Sequence, residues 1–98
     1  MDEAEERFAD EAEAAVRELM KRHTLAGPAE RLELEPQIEM AIDRWRDARI
    51  ELMKSGNSIT EEDIEQMQVI RREIDQAADQ QAIIVAAARL VTKFISII

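Results

Sequence analysis

Carboxylate and guanidinium groups supply most of the reactive side chains in this 98-residue sequence. There are 22 Asp or Glu residues, 13 Lys or Arg residues, no cysteine and a single histidine, His23. The lack of cysteine excludes a disulfide scaffold, a thiol redox site and a cysteine-ligated zinc site. His23 follows Lys21 and Arg22 at the predicted end of a helix, where positive charge complements the helix dipole. We therefore interpret His23 as a helix-end residue and predict no histidine-based catalysis.

A carboxylate metal site is the next chemistry to consider. Glu62 and Glu65 have the spacing that places two carboxylates on one face of a helix. A helical magnesium site needs a second pair of this kind, and the downstream candidate, Glu73 with Asp75, is one residue short of that spacing. The chain also has only two glycines, too few for a glycine-rich phosphate loop. We predict no metal site and no cofactor.

Five arginines supply cations that could bind an anion. They are Arg44, Arg46, Arg49, Arg71 and Arg72. Acidic residues lie close to each of them in the sequence, so surface ion pairing is the first interpretation. The alternative hypothesis is a small all-α enzyme whose anion-binding site forms at an oligomer interface from Arg44, Arg49, Arg71 or Arg72. No catalytic residue is predicted.

The overall charge and the aromatic content argue against nucleic-acid binding. The formal net charge is −9 and the chain has three aromatic residues, Phe8, Trp45 and Phe94. An acidic surface repels phosphate groups, and three aromatic rings leave little for stacking on bases. The first residues, Met-Asp-Glu-Ala-Glu-Glu, have neither the basic nor the apolar region of a signal peptide. We predict no nucleic-acid partner and a cytoplasmic location.

The spacing of apolar residues predicts a first helix over residues 2–23. Phe8, Ala12 and Leu19 recur at steps of three and four residues and so lie on one face. Acidic residues crowd the first turns and basic residues close the last one, as the helix dipole favours. Pro28, directly after a glycine, is expected to stop this helix.

A connector and a second helix are predicted to follow. Residues 24–35 are assigned to the connector because Pro36 disfavours a helical conformation in the residue before it. Pro36 itself suits the first position of a helix. The second helix is therefore predicted over residues 36–54, with Trp45 on its buried face and the Ser-Gly-Asn sequence at 55–57 ending it.

A long third helix is predicted over residues 60–98. Thr60 is a typical N-cap residue, and Asp63 three positions later completes an acidic form of the capping box. No glycine or proline occurs between this cap and Ile98. We therefore expect an unbroken helix of about 57 Å, at 1.5 Å per residue.

The predicted third helix carries a heptad seam. Apolar residues alternate at steps of three and four from Met67 to Ile98, with one polar exception, Gln81. Such a seam is typical of packing between helices, and a single polar residue in it can set register or oligomeric state. We predict that this face, with Phe94 beside it, forms an interface. Its residues are Ile70, Ile74, Gln81, Ile84, Val91, Phe94, Ile95 and Ile98.

The last part of the predicted third helix is apolar on nearly its whole circumference. Of the 17 residues 82–98, 13 are apolar, and the polar ones form a narrow stripe. A second helix ending at residue 54 is long enough to cover the third only to about residue 79. Leaving half of the apolar side chains beyond that point exposed costs on the order of 10 kcal/mol. This cost is comparable to the net stability of a small domain, so we expect another surface to cover them.

These observations predict an all-α fold of two helices of about 20 residues each and a long C-terminal helix, with the bundle completed by oligomerisation. The predicted function is a non-catalytic interaction or assembly protein, such as an adaptor, chaperone or structural subunit, that self-associates as a dimer through the C-terminal helix. Two alternatives stay open for the covering surface, namely a different protein and a membrane surface contacted by residues 82–98. The small enzyme with an interfacial anion site is the third alternative.

Overall fold

The computed structural model describes residues 2–54 and 58–98, and every regular element in them is an α-helix. In these two ranges there are four helices: α1 (Glu3–Leu25), α2 (Pro28–Met53), α3 (Glu61–Gln76) and α4 (Gln80–Ile97). The predicted all-α fold class is confirmed, with one helix more than the three expected. Residues 55–57, predicted to end the second helix, lie outside the described residues.

The helices form an elongated bundle with extents of 43 × 21 × 17 Å. α1 packs against α2 and α3, and α4 packs against the same two helices. In the described part of the chain, α2 and α3 do not contact each other, so they lie at opposite corners of the bundle. At 1.5 Å per residue the 26-residue α2 spans about 39 Å, close to the full length of the molecule.

Ion pairs and hydrogen bonds define the relative directions of the helices. Arg7 near the start of α1 pairs with Glu61 at the start of α3, at 2.5 Å, so these helices run parallel. Gln80 at the start of α4 donates to the carbonyl of Glu30 near the start of α2, at 3.1 Å, so these helices are also parallel. Because α3 and α4 are joined by a tight turn, they run antiparallel to each other.

The core is built from apolar side chains of all four described helices. Alanines at the helix contacts, including Ala12, Ala15, Ala48 and Ala87, are fully buried and let the helices approach closely. Large side chains fill the space between them. The largest fully buried ones are Phe8, Leu19, Leu34, Leu52, Ile64, Met67, Ile74, Leu90 and Phe94.

The predicted connector over residues 24–35 is wrong except at residues 26 and 27, because α1 continues to Leu25 and α2 begins at Pro28 and passes through Pro36. Pro28, and not Pro36, occupies the first turn. The reason is the apolar series that starts at Leu34, which is fully buried and lies on the same face as Trp45. The stability gained by burying this apolar series outweighs the loss of the helix hydrogen bond that Pro36 cannot make to the carbonyl of Leu32.

The predicted unbroken helix over residues 60–98 is also wrong, because α3 ends at Gln76 and α4 begins at Gln80. The Asp79 side chain accepts a hydrogen bond from the Ala82 N–H at 2.8 Å and thus acts as the N-cap of α4. Aspartate is among the residues that most favour this position. The cap starts a new helix where the heptad pattern predicted continuation.

The end of α3 is stabilised from α1. The guanidinium of Arg22 donates hydrogen bonds to the carbonyl oxygens of Ile74 at 3.1 Å, Asp75 at 3.0 Å and Ala77 at 2.7 Å. In a continuing helix these carbonyls would accept from N–H groups of the next turn. Arg22 takes the place of those donors, so the chain can turn back without leaving the carbonyls unpaired.

The capping box predicted at the start of α3 is present. The Asp63 N–H donates to Thr60 Oγ1 at 3.1 Å, and the Thr60 N–H donates to Asp63 Oδ2 at 2.9 Å. Two backbone donors of the first turn are thereby satisfied locally. The start of α3 is thus specified by adjacent residues, whereas its end depends on a residue of α1.

Candidate interaction surface on α3 and α4

The predicted interface residues fall into a buried group and an exposed group. Ile70, Ile74, Val91 and Phe94 are buried in the core of their own chain, and Ile84 is partly buried. Gln81, Ile95 and Ile98 are exposed. The buried group points inward because α4 folds back along α2 and α3.

Phe94 anchors α4 to α2 through an aromatic contact. Its ring stacks against Trp45 with the centroids 5.3 Å apart and the planes inclined by 30°. Both side chains are buried. A stacked pair of this kind contributes about 0.5–1.5 kcal/mol beyond its area burial. The inner side of α4 is thus occupied within the chain.

A second apolar stripe lies on the outer side of α4. Its residues alternate at steps of four and three and are Gln81, Val85, Ala88, Thr92 and Ile95. All of them are exposed. Val85 retains 42% of its accessible surface although it is a large apolar residue. α4 therefore has a packed inner seam and an exposed outer seam.

An open groove of about 840 Å³ runs between α3 and the outer side of α4. Its apolar floor comes from Val69 and Ile70 on α3 and from Val85 and Ala88 on α4. Val69 remains 44% exposed. Ala88 and Thr92 are small, so the α4 side of the groove has no bulky side chain at its centre.

The two walls of the groove carry opposite charges. The α3 wall is acidic, with Glu62, Glu65 and Glu73. The α4 wall is basic, with Arg89 and Lys93. Glu73 and Arg89 form an ion pair of 2.5 Å that bridges the groove near one end. The surface thus combines an apolar floor with a charged rim, the usual anatomy of a protein interface.

Lys93 closes the other end of the groove. Its ammonium donates to Asp63 Oδ1 and to Gln66 Oε1, each at 2.6 Å, and its side chain is only 13% exposed. Desolvation is the largest influence on Asp63 and raises its pKa, but the hydrogen bonds from Lys93 and Thr60 together lower the pKa below its ordinary value. The charged form of Asp63 is therefore stabilised in the folded chain.

A second, more polar cleft of about 460 Å³ lies at the end of the bundle that contains the turn between α3 and α4. Glu18, Arg22 and Asp75 line it. A hydrogen bond with Asp75 and, next, burial raise the pKa of Glu18. Because Arg22 is engaged with backbone carbonyls, its guanidinium has a structural role in this cleft.

Four of the five arginines considered for anion binding form ion pairs. Arg44 pairs with Asp47 at 3.0 Å and Arg46 pairs with Asp43 at 3.3 Å, both within α2. Across helices, Arg49 pairs with Glu13 at 3.4 Å, and Arg71 pairs with Glu11 at 3.1 Å. These contacts are the surface pairing that the sequence indicated as the first interpretation.

Over residues 2–54 and 58–98, no group of three or more His, Asp or Glu side chains is positioned to hold a metal ion. Glu62 and Glu65 instead lie exposed on the acidic wall of the groove.

One helix in the described part of the chain, α4, is long and apolar enough to cross a membrane. Its 18 residues have a mean hydropathy of 1.3. A third of this window is buried inside the bundle, and core helices of soluble proteins pass the same test.

Comparison of the chain with protein-family models, characterised proteins and solved structures finds no match. The candidate surface therefore rests on its geometry. The predicted heptad seam already included Ala88, whereas sequence reasoning missed Val69, Val85 and Thr92 as members of this surface. The signal for Val85 and Thr92 was the second heptad series on α4, which becomes visible once its inner series is assigned to the core.

Proposed function

We propose that this chain is a non-catalytic helical assembly protein that self-associates through the outer surface of α3 and α4. The observation that carries the proposal is the open groove with its apolar floor, continuous with the exposed seam of α4. A heptad seam is a surface on which another helix packs. Exposed apolar surface bordered by charged residues is typical of interaction sites.

The energetics favour covering this surface. Val69, Val85 and Ile95 are large apolar residues that remain substantially exposed. Burial contributes about 25 cal/mol for each Å² of apolar surface removed from water. The small residues at the centre of the α4 seam allow close approach, which increases the area that a second helix buries.

A second copy of the chain is the occupant that we propose. Twofold dimers are the commonest closed assemblies of soluble proteins, and they use the same patch on both subunits. A patch that serves both subunits must be self-complementary. The groove has this property, since it combines an apolar floor with one acidic and one basic wall.

Size-exclusion chromatography with light scattering, over a range of protein concentrations, tests this function. We expect the wild-type chain to be dimeric. We expect Val85→Glu to raise the dimer dissociation constant by about a hundredfold or more, because it places a charge on the apolar floor of the surface that the dimer buries. Circular dichroism checks that the helix content is unchanged.

Ile50→Glu is the matched control. Ile50 is an apolar residue of α2 with 52% of its surface exposed, and it lies outside the groove. We expect this variant to remain dimeric. A wild-type chain that is monomeric at every concentration, or a Val85→Glu variant as dimeric as the wild type, contradicts the proposed function.

A further inference from the structure

We infer that the twofold axis of the dimer runs along the groove, so that α3 of each copy packs on α4 of the other. The inference rests on the proposed self-association and adds the arrangement of the two copies. Its basis is the distribution of charge across the groove together with the register of α3 against α4.

The charge distribution distinguishes two ways of stacking the groove on itself. A twofold axis along the groove exchanges left and right, which brings the acidic α3 wall of one copy against the basic α4 wall of the other. An axis across the groove brings α3 onto α3, so that the acidic wall with Glu62, Glu65 and Glu73 faces the same acidic wall of the other copy. Juxtaposed like charges at an interface repel each other and oppose association, so the first arrangement is favoured.

Arg89 is the cation best placed to contact the second copy. Its guanidinium pairs with Glu73 of its own chain, yet its side chain is still 58% exposed. Arginine has several donors in a fork and can bind two carboxylates at once. With the axis along the groove, Arg89 approaches Glu73 of the second copy. Because of the twofold symmetry, this contact between copies occurs twice in each dimer.

The register of the helices predicts which residues meet. Gln66 contacts Lys93 at one level of the groove, and Glu73 contacts Arg89 at another. Val69 and Thr92 lie between these two levels, on opposite sides. A twofold axis parallel to the groove preserves level, so Val69 of one copy faces Thr92 of the other. The small Thr92 side chain leaves room for the valine.

Disulfide cross-linking tests this arrangement with little background, because the natural chain has no cysteine. Val69→Cys and Thr92→Cys are prepared as separate full-length variants, both at exposed positions. A disulfide needs Cα atoms about 4.4–6.8 Å apart, so it reports close approach. We expect an equimolar mixture under mild oxidation to form covalent dimers about tenfold faster than either variant alone.

Charge reversal supplies the second test. We expect Arg89→Glu or Glu73→Arg to weaken the dimer on the order of tenfold or more, because two opposite-charge contacts per dimer become like-charge contacts. The double variant Arg89→Glu/Glu73→Arg restores both the pair within the chain and the contacts between copies. We expect it to dimerise like the wild type.

The outcomes separate this inference from the proposed function. A wild-type dimer in which Val69→Cys or Thr92→Cys links to itself as fast as the mixture overturns the axis along the groove and leaves self-association standing. A wild-type dimer unaffected by either charge reversal overturns the charge pairing in the same way. A monomeric wild-type chain overturns both proposals.

Discussion

At the scale of single residues, the side chain of Arg22 stabilises the end of α3, where the chain turns back. It lies in α1, yet it binds three carbonyl oxygens at the end of α3, more than 50 positions away in sequence. Its type and position are visible in the sequence as part of a basic helix end. Its partners are not, because they are backbone atoms exposed only when α3 stops.

Replacing Arg22 by methionine should therefore destabilise the fold. The stem of the side chain is retained, but three carbonyls lose a charged donor, and we expect the free energy of unfolding to fall by about 2 kcal/mol. Urea denaturation followed by circular dichroism measures it. Arg17→Met, at an exposed position of the same helix, is the control. Equal stability of the two variants contradicts the capping role.

Asp63 combines two functions at one position, since it caps α3 and pairs with Lys93 of α4. These hydrogen bonds lower the pKa of Asp63 in the folded chain below its ordinary value of 3.8. A carboxyl with a lowered folded-state pKa contributes stability above its unfolded pKa. That contribution is lost as the pH falls through the folded pKa.

Asp63→Asn tests this linkage. At neutral pH we expect the variant to be less stable than the wild type by about 1–2 kcal/mol, because Lys93 loses its charged partner. On acidification from about pH 5 to about pH 2, the wild type should lose more free energy of unfolding than the variant, so the difference narrows. Denaturation series across this pH range measure it, and a constant difference contradicts the argument.

At the scale of elements, the break between α3 and α4 is the main departure from the sequence-based prediction. Ala77 and Ala78 both favour helix, and no glycine or proline marks the turn. The overlooked signal was Asp79, a strong N-cap residue within the heptad series. Local helix propensity is compatible with both a continuous helix and a turn here, and the packing of α4 on α2 favours the turn.

Ala78→Pro distinguishes the turn from a continuous helix. Ala77 has backbone angles of −57° and 123°, which suit a residue that precedes proline. We expect the variant to keep its helix content and its stability to within about 1 kcal/mol. In a continuous helix the same change would cost about 3 kcal/mol. Ala14→Pro, inside α1, is the control that should unfold the chain.

The start of α2 also differs from the sequence-based prediction, but here the helix is longer than predicted. The sequence-based prediction starts the second helix at Pro36, although Pro28 is equally suited to that position. Leu34 lies four residues before Ile38 and so extends the apolar series of the second helix backwards. Counting that series would have moved the predicted start of α2 to the earlier proline.

At the scale of the whole molecule, the folding back of α4 changes which surface needs a partner. The sequence predicted that a helix apolar on nearly all sides requires more cover than α2 provides. The bundle supplies part of that cover, since the inner seam of α4, including Leu90 and Phe94, is buried. The outer seam remains exposed, and its pairing with the acidic wall of α3 defines the surface proposed for dimerisation.

Adjacent residues in the sequence were sufficient to predict the helical class, the capping box of Thr60 and Asp63, and the apolar faces of the helices. These features depend on interactions within a few residues, which the order of amino acids specifies directly. The partners of each face, the turn at Asp79 and the groove beside Val85 depended on the tertiary structure. Periodicity identifies a face that must be buried, but contacts such as Arg22 with the end of α3 form only when the helices are packed.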